Sequence, residues 1–313
     1  MPGISGDAMD KLVEEISTSE KTGAVYYSQF PDVKKQSGST CGMYALKWAI
    51  EYRSMKTGEK AELLPARARD VCANCGTELR IQNVDKFQWD TSALRDDPKA
   101  KKSYYCMLCV NHPGKQKMVR TMRSIAKANG LSVMGELMEP VRLLELAQKS
   151  GFSGQAKLID AGVLGAPFES CLLRSLDSGK MALLIFDVDL QTGDPGTNAG
   201  NSAHWCVVFG SYNAADGIHL LAVHGWAGYF NWLLADLVNS MRQMKVHPGW
   251  DLDVPVNKVG LLDQAFAQDA VPSGKASHLR GGPAPPALNP ANKRVDVPGM
   301  DYTRVNQQFV EFG

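Results

Sequence analysis

Three apolar runs in the second half of the chain restrict the fold more than any other feature of the sequence. They cover about residues 181–187, 204–212 and 218–224. Short apolar runs bounded by turn-forming residues predict strands. A polar loop rich in Gly, Asn and Pro joins the first run to the second, and a short turn joins the second to the third. We therefore expect an antiparallel sheet, with His204 at the start of its second strand and His224 at the end of its third.

A cysteine opens the strongest helical pattern of the chain, far from these strands in sequence. Apolar residues at helical spacing follow Cys41, and the pattern ends near Gly58. Thr40 or Ser39 can cap the first turn. The unpaired N–H groups and the positive end of the helix dipole both favour the thiolate form of Cys41. Gln36, five residues upstream, can supply a side-chain amide beside the Cys41 backbone N–H, which together would form an oxyanion hole.

A cysteine before a helix is also commonly a small buried apolar residue. His204 favours the catalytic interpretation, because a histidine at a strand mouth and a cysteine at a helix start are the two halves of a thiolate–imidazolium pair. His224 lies where a residue that orients the His204 ring would be expected. We therefore predict Cys41, His204, Gln36 and His224 as catalytic residues.

Four segments of this chain carry a resemblance to known proteins, and they follow one another in the same order. They are 36–46 (Q-x-G-x-T-C-G-x-x-A-L), 123–147, 172–205 (with the Asp-x-Asp and Ala-His-Trp motifs) and 220–244. The order of Gln36, Cys41 and His204 resembles that of papain-like cysteine peptidases of the C39-like kind. The segments together are most similar to the actin maturation protease family.

The resemblance implies an α+β papain-like fold, in which a helical part packs on an antiparallel sheet. It also implies removal of the N-terminal residue of actin, with Cys41 as nucleophile, His204 as base and Gln36 in the oxyanion hole. The chain departs from the family in a long cysteine-containing insertion, in a Pro/Gly-rich tail, and in His224, where the family tends to have an amide residue.

Four further residues are candidate substrate-binding residues. The resemblance places Glu136 near the substrate groove, and Trp205 belongs to the Ala-His-Trp motif. Asp187 or Asp189 could bind a free amino group of the substrate or orient nearby polar groups. Asp is also a common residue at turns that follow strands, where it has a structural role only, so both interpretations of the two aspartates remain open.

Two C-x2-C pairs, thirty residues apart, predict a metal site. They are Cys72 with Cys75 and Cys106 with Cys109. Each pair can present two thiolates to one ion, and four thiolates suit a tetrahedral structural Zn²⁺ site. Iron in a rubredoxin-like site, redox disulfides and unrelated thiols are the alternatives. Zinc would stabilise a segment that is too polar to form a core of its own.

The chain divides into four predicted parts: residues 1–59 with the nucleophile helix, a four-cysteine zinc-knuckle insertion at 60–118, the rest of the papain-like domain at 119–269, and a Pro/Gly-rich C-terminal tail at 270–313. Besides the Cys41 helix, the apolar periodicity and the helix-ending glycines predict five helices. These helices are 8–16, 118–129, 140–150, 167–178 and 233–244.

Composition excludes some functions. Lys and Arg total 34 against 33 for Asp and Glu, so no net field favours nucleic acid. No apolar run approaches the length of a membrane span. The first residues lack a basic flank and an apolar stretch, so we expect no cleaved secretory signal. A thiol-dependent site prefers a reducing compartment, which favours the cytoplasm, although signal-less export remains open.

The sequence thus predicts a cysteine peptidase acting on a protein or peptide substrate, with an N-terminal, actin-like substrate implied by the resemblance. Two alternatives remain. The same machinery could serve a deamidase, an endopeptidase or an acyltransferase. The fold could also be inactive and act as a zinc-dependent binding module.

Overall fold

A computed structural model describes the parts of the chain that form its core. The described residues are 3–19, 23–25, 33, 36, 40–59, 66, 87–90, 103–106, 121–132, 135–226, 228–247, 249–255, 277–279, 292–297 and 299–313. For 87–90, 103–106, 250–255, 277–279 and 292–297 it describes the backbone alone.

The main sheet has seven strands, and all its neighbours run antiparallel. Its strand order is β4-β14-β5-β6-β7-β8, and β1 pairs with the far half of β6. The strands are β1 (Gly23–Val25), β4 (Ala156–Asp160), β5 (Met181–Asp187), β6 (Ala203–Ala214), β7 (Gly217–His224), β8 (Gly228–Leu233) and β14 (Gln308–Phe312). The three strands predicted from the apolar runs are confirmed as β5, β6 and β7.

Smaller sheets lie outside this one. They are formed by β2 (Phe87–Asp90) with β3 (Ser103–Cys106), by β9 (Val246–His247) with β13 (Met300–Asp301), and by β10 (Trp250–Pro255) with β11 (Ser277–Leu279) and β12 (Asn292–Val297).

The helices of the described residues are α1 (Gly6–Thr18), α2 (Cys41–Thr57), α3 (Met122–Ala128), α4 (Pro140–Lys149), α5 (Ala161–Leu164), α6 (Phe168–Asp177) and α7 (Leu234–Arg242), with a short 3₁₀ turn at Tyr302–Arg304. The six predicted helices are confirmed with boundary shifts. The largest shift is at α3, which begins after Thr121 because Thr121 and Ser124 form a reciprocal capping box.

Helices cover both faces of the sheet. One hydrophobic cluster joins α1, α2 and α4 to the inward side chains of β6 and β7, including Trp205 and Val207. The other joins α6 and α7 to the opposite face, including Cys206 and Val208. Cys171 and Cys206 are buried. The fold class is therefore α+β.

The C-terminal residues differ from the predicted tail. The sequence predicts a tail over residues 270–313, yet β14 lies between β4 and β5 within the sheet. Phe309, Val310 and Phe312 are completely buried. Their burial explains the difference, since the end of the chain supplies side chains to the core. The Pro/Gly-rich segments that suggest a tail lie outside the described residues.

Candidate active site

Gln36, Cys41 and His204 line one cavity of about 230 Å³. The sequence-predicted Glu136 and Trp205 line it as well, together with four apolar residues and one tyrosine. These additional lining residues are Leu137, Met138, Ile185, Ala203 and Tyr302. The cavity therefore brings together five residues that the sequence predicted separately.

Cys41 is the first residue of α2, and Thr40 is the N-cap residue. The Thr40 side chain makes no capping hydrogen bond to the helix. Instead, backbone groups of Trp205 and Gly42 hydrogen-bond to the Cys41 sulfur. The N-terminus of the helix and the start of β6 therefore both place backbone donors at the thiol.

Close packing brings α2 against β6 at this point. A Cβ atom at Gly42 would lie 3.1 Å from the Trp205 indole and 3.2 Å from Leu137 Cβ. The indole Nε1 of Trp205 donates a 2.6 Å hydrogen bond to the backbone carbonyl of Leu137. Trp205 therefore joins β6 to the segment 136–138, which forms one wall of the cavity and carries Glu136.

Burial sets the protonation states of the two reactive residues. It raises the pKa of the Cys41 thiol above its ordinary value, and the backbone hydrogen bonds offset this only in part. It lowers the pKa of His204 to about 4. The sequence-based expectation of a resting thiolate–imidazolium pair therefore differs from the structure, in which loss of solvent favours a neutral thiol and a neutral imidazole.

His204 and His224 lie beside each other, with ring centroids 5.1 Å apart and nearly perpendicular planes. His224 Nε2 lies 2.9 Å from the backbone carbonyl oxygen of Gly193. Since a carbonyl only accepts, Nε2 of neutral His224 carries the proton and Nδ1 is an acceptor. Among the described residues, neither Nδ1 of His224 nor Nε2 of His204 has a hydrogen-bond partner, although both atoms are buried.

Aromatic rings enclose this histidine pair. Phe186 lies edge-on to both imidazoles, and Phe230 stacks on His224 with centroids 4.1 Å apart. Trp226 lies 6.3 Å from His204, ring centre to ring centre. Burial and the nearby His204 lower the pKa of His224 well below its ordinary value. His224 therefore stays neutral, and it is not one of the residues that line the cavity.

Asp187 and Asp189 lie away from the cavity lining. The buried Asp187 carboxylate accepts hydrogen bonds from the backbone N–H groups of Asn198, Gly200 and Ser202 and from the Gln243 side chain. Asp189 Oδ1 accepts from the N–H groups of two residues in its own turn, at 2.8 and 3.0 Å. Both carboxylates thus hold the loop that leads from β5 to His204.

Tyr302 is a polar residue of the cavity lining that the sequence patterns do not predict. It is 2% exposed, and burial, the thiolate that Cys41 forms at high pH and the Asp187 charge all raise its pKa, so its hydroxyl stays protonated. It lies in the segment that the sequence predicts as a tail. The apolar residues of 308–312 were the available signal that this part of the chain returns to the core.

The predicted metal site lies mostly outside the described residues. Cys72, Cys75 and Cys109 fall there, and the backbone alone is described at Cys106, which ends β3 opposite Phe87 of β2. Within the described part of the chain, no group of three or more His, Cys, Asp or Glu side chains could hold a metal ion. The described helices also include none that is long and apolar enough to cross a membrane.

Residues 103–212 match the family model described as Actin maturation protease-like, C-terminal domain. The match covers about a third of the chain and includes Glu136, the two aspartates, His204 and Trp205. It confirms the resemblance over that stretch and indicates a protease-like domain, while Gln36, Cys41 and His224 lie outside it. No curated protein and no solved structure matches the chain.

Proposed function

We propose that this protein is a papain-like cysteine peptidase that uses Cys41 as its nucleophile and His204 as its base. One observation carries the proposal: Cys41, His204 and Gln36 line the same cavity. A thiol with backbone donors at its sulfur, an imidazole and a side-chain amide are the groups that acyl transfer from a peptide bond requires.

The neutral ground state defines the order of proton transfers. As the Cys41 sulfur attacks the carbonyl carbon, its proton passes to His204, and the carbonyl oxygen becomes an oxyanion. Gln36 and the Cys41 backbone N–H donate to this oxyanion. The C–N bond then breaks, the leaving amine takes the proton from His204, and a thioester remains on Cys41. His204 then takes a proton from water as the water oxygen attacks the thioester carbonyl carbon. The C–S bond breaks, and the Cys41 sulfur takes this proton back from His204, which restores the thiol.

His224 acts as a positioning residue in this proposal. The carbonyl of Gly193 fixes its proton on Nε2 and leaves Nδ1 as an acceptor toward His204. In this proposal His204 Nε2–H donates to that Nδ1, because these two buried nitrogen atoms have no other partner among the described residues. That bond would leave Nδ1 of His204 unprotonated, which is the tautomer that can take a proton from Cys41.

For the substrate we propose the N-terminal residue of actin or an actin-like protein. The matched family supports this choice. The small cavity supports it too, since 230 Å³ is below the range of pockets that enclose drug-sized ligands and suits a single residue. The apolar lining of Leu137, Met138 and Ile185 suits an apolar terminal side chain.

Peptide mass analysis tests this function. We expect the protein to shorten an actin N-terminal peptide, offered with a free and with an acetylated amine, by its first residue. Cys41→Ala should abolish the reaction, and Cys171→Ala, which removes a thiol buried on the opposite face of the sheet, should not. Internal cleavage would indicate an endopeptidase. A mass gain without chain cleavage would indicate a deamidase or an acyltransferase. No change with any peptide would indicate a binding module.

We further propose that Cys72, Cys75, Cys106 and Cys109 hold a structural Zn²⁺. Their spacing supports this, as does the position of Cys106 at the end of a two-stranded sheet, β2–β3. Four thiolates from two such pairs are a common ligand set for tetrahedral zinc. The ion would stabilise the insertion, and no catalytic step needs it.

A further inference from the structure

The turn 224–226 connects the two halves of the site. His224 lies against the His204 ring, and Trp226 lies 6.3 Å from that ring. The residue between them, Gly225, contacts Gln36 instead, since its carbonyl oxygen accepts a 2.9 Å hydrogen bond from the Gln36 backbone N–H. Three consecutive residues therefore reach both the base and the proposed oxyanion donor.

The side chain of Gln36 occupies the space where Gly225 lacks a Cβ atom. A Cβ atom built there would lie 2.5 Å from Gln36 Cδ and 2.7 Å from Cγ, and it would overlap Oε1. Carbon atoms pack at about 3.5–4.0 Å, so an alanine at 225 and the present Gln36 rotamer exclude each other.

The lack of room for a side chain, and not the backbone conformation, explains why residue 225 is a glycine. Gly225 is buried, and it is not among the residues with positive φ, so an alanine could adopt the same backbone. The three atoms nearest to the added Cβ all belong to the Gln36 side chain. An added methyl group should therefore displace the Gln36 amide and leave the sheet intact.

We propose that Gly225 is a positioning residue, whose missing side chain sets the Gln36 amide beside Cys41. This inference rests on the proposed function, because it assumes that Gln36 stabilises an oxyanion there. It adds a requirement that the function does not include, namely that residue 225 controls the oxyanion site without contacting the substrate.

A reversible aldehyde can measure the oxyanion site without a known substrate. N-acetyl-leucinal suits the apolar cavity lining. The Cys41 sulfur adds to its carbonyl carbon, the carbonyl oxygen takes the thiol proton, and the resulting hemithioacetal places this oxygen at the oxyanion site. The dissociation constant follows from the protection that the aldehyde gives Cys41 against iodoacetamide, read by peptide mass. Alkylation without aldehyde needs no oxyanion site and reports the thiol alone.

We expect Gly225→Ala to weaken aldehyde binding by about 3- to 10-fold, the scale of one neutral hydrogen bond, because the hemithioacetal oxygen carries the thiol proton. The alkylation rate without aldehyde should change less than about twofold, since the groups that set the thiol pKa remain. Gln36→Ala should weaken binding equally, and the double variant no further, because both changes remove the same donor. Gly154→Ala is the matched control, since a Cβ atom there meets nothing within 4 Å.

Three results would overturn the inference, in two distinguishable ways. Equal aldehyde affinity in wild type and Gly225→Ala, or additive losses in the double variant, would refute the role of Gly225 and leave the proposed function standing. Failure of the aldehyde to protect wild-type Cys41 would refute the oxyanion site, and with it both proposals. Thermal unfolding of each variant shows whether a loss of aldehyde affinity reflects a damaged fold.

Discussion

His224 Nε2 lies 2.9 Å from the Gly193 carbonyl oxygen, and this contact determines which tautomer of His224 lies beside His204. His224→Ala removes the acceptor, and we expect kcat to fall about 10-fold, because His204 then loses its orientation and keeps its function as a base. His224→Asn offers an amide oxygen and should recover part of the loss. KM should change little, since His224 does not line the cavity. A loss as large as that of Cys41→Ala would contradict a positioning role.

The pKa directions of Cys41 and His204 predict a specific pH dependence of alkylation. Burial raises the pKa of Cys41 above 9.0 and lowers the pKa of His204 to about 4. Between these values both groups are neutral, so iodoacetamide should react slowly with Cys41 at about pH 5–7. The rate should rise steadily with pH as the thiolate fraction grows, and it should level off only above pH 9.0. A fast plateau in the acidic to neutral range would instead reveal a resting thiolate–imidazolium pair.

Asp187 should be essential for stability. Its buried carboxylate accepts four hydrogen bonds, and Asp187→Ala leaves those donors without this acceptor. We expect the free energy of unfolding to fall by about 3–5 kcal/mol, in the range found when buried charged networks are broken. Urea unfolding measures this. Asp189→Ala is the control, and its loss should be much smaller because its carboxylate holds only a short turn. Equal losses of unfolding free energy in Asp187→Ala and Asp189→Ala would contradict a special role of Asp187 in stability.

Zinc content can be measured directly. We expect one Zn²⁺ per chain by elemental analysis, and Cys106→Ser should lower both the content and the affinity, since three thiolates bind more weakly than four. Chelation should expose four additional thiols to titration. Cys171→Ser removes a thiol outside the proposed site and should retain the metal. Purified protein without bound metal, in which the four thiols titrate freely, would refute the zinc site.

Local patterns make much of the fold predictable. The apolar runs of β5, β6 and β7 and the helix ends at glycines depend on nearby residues, and the sequence predicts them correctly. β14 escapes prediction because its short run gains its stability from β4 and β5, which are far away in sequence. Tyr302 escapes it for the same reason, since it reaches the cavity only when the end of the chain returns to the sheet.

In the candidate site, too, the features that depend on nearby residues are predictable and those that depend on tertiary structure are not. Cys41 and His204 stand out because a helix start and a strand mouth are visible in the sequence. Their protonation states differ from the expectation, because the helix dipole is a local effect and burial is a property of the assembled fold. The contact of Gln36 with Gly225 also depends on tertiary structure, because it joins residues separated by most of the chain.

The most direct test of the central claim is irreversible labelling of Cys41 by N-acetyl-leucine acyloxymethyl ketone at neutral pH, followed by peptide mass analysis. We expect Cys41 to react in preference to Cys171 and Cys206. We also expect His204→Ala to slow the reaction by at least about 10²-fold, the scale of a general base. Unselective labelling of these three thiols, or an unchanged rate in His204→Ala, would show that Cys41 and His204 do not act together.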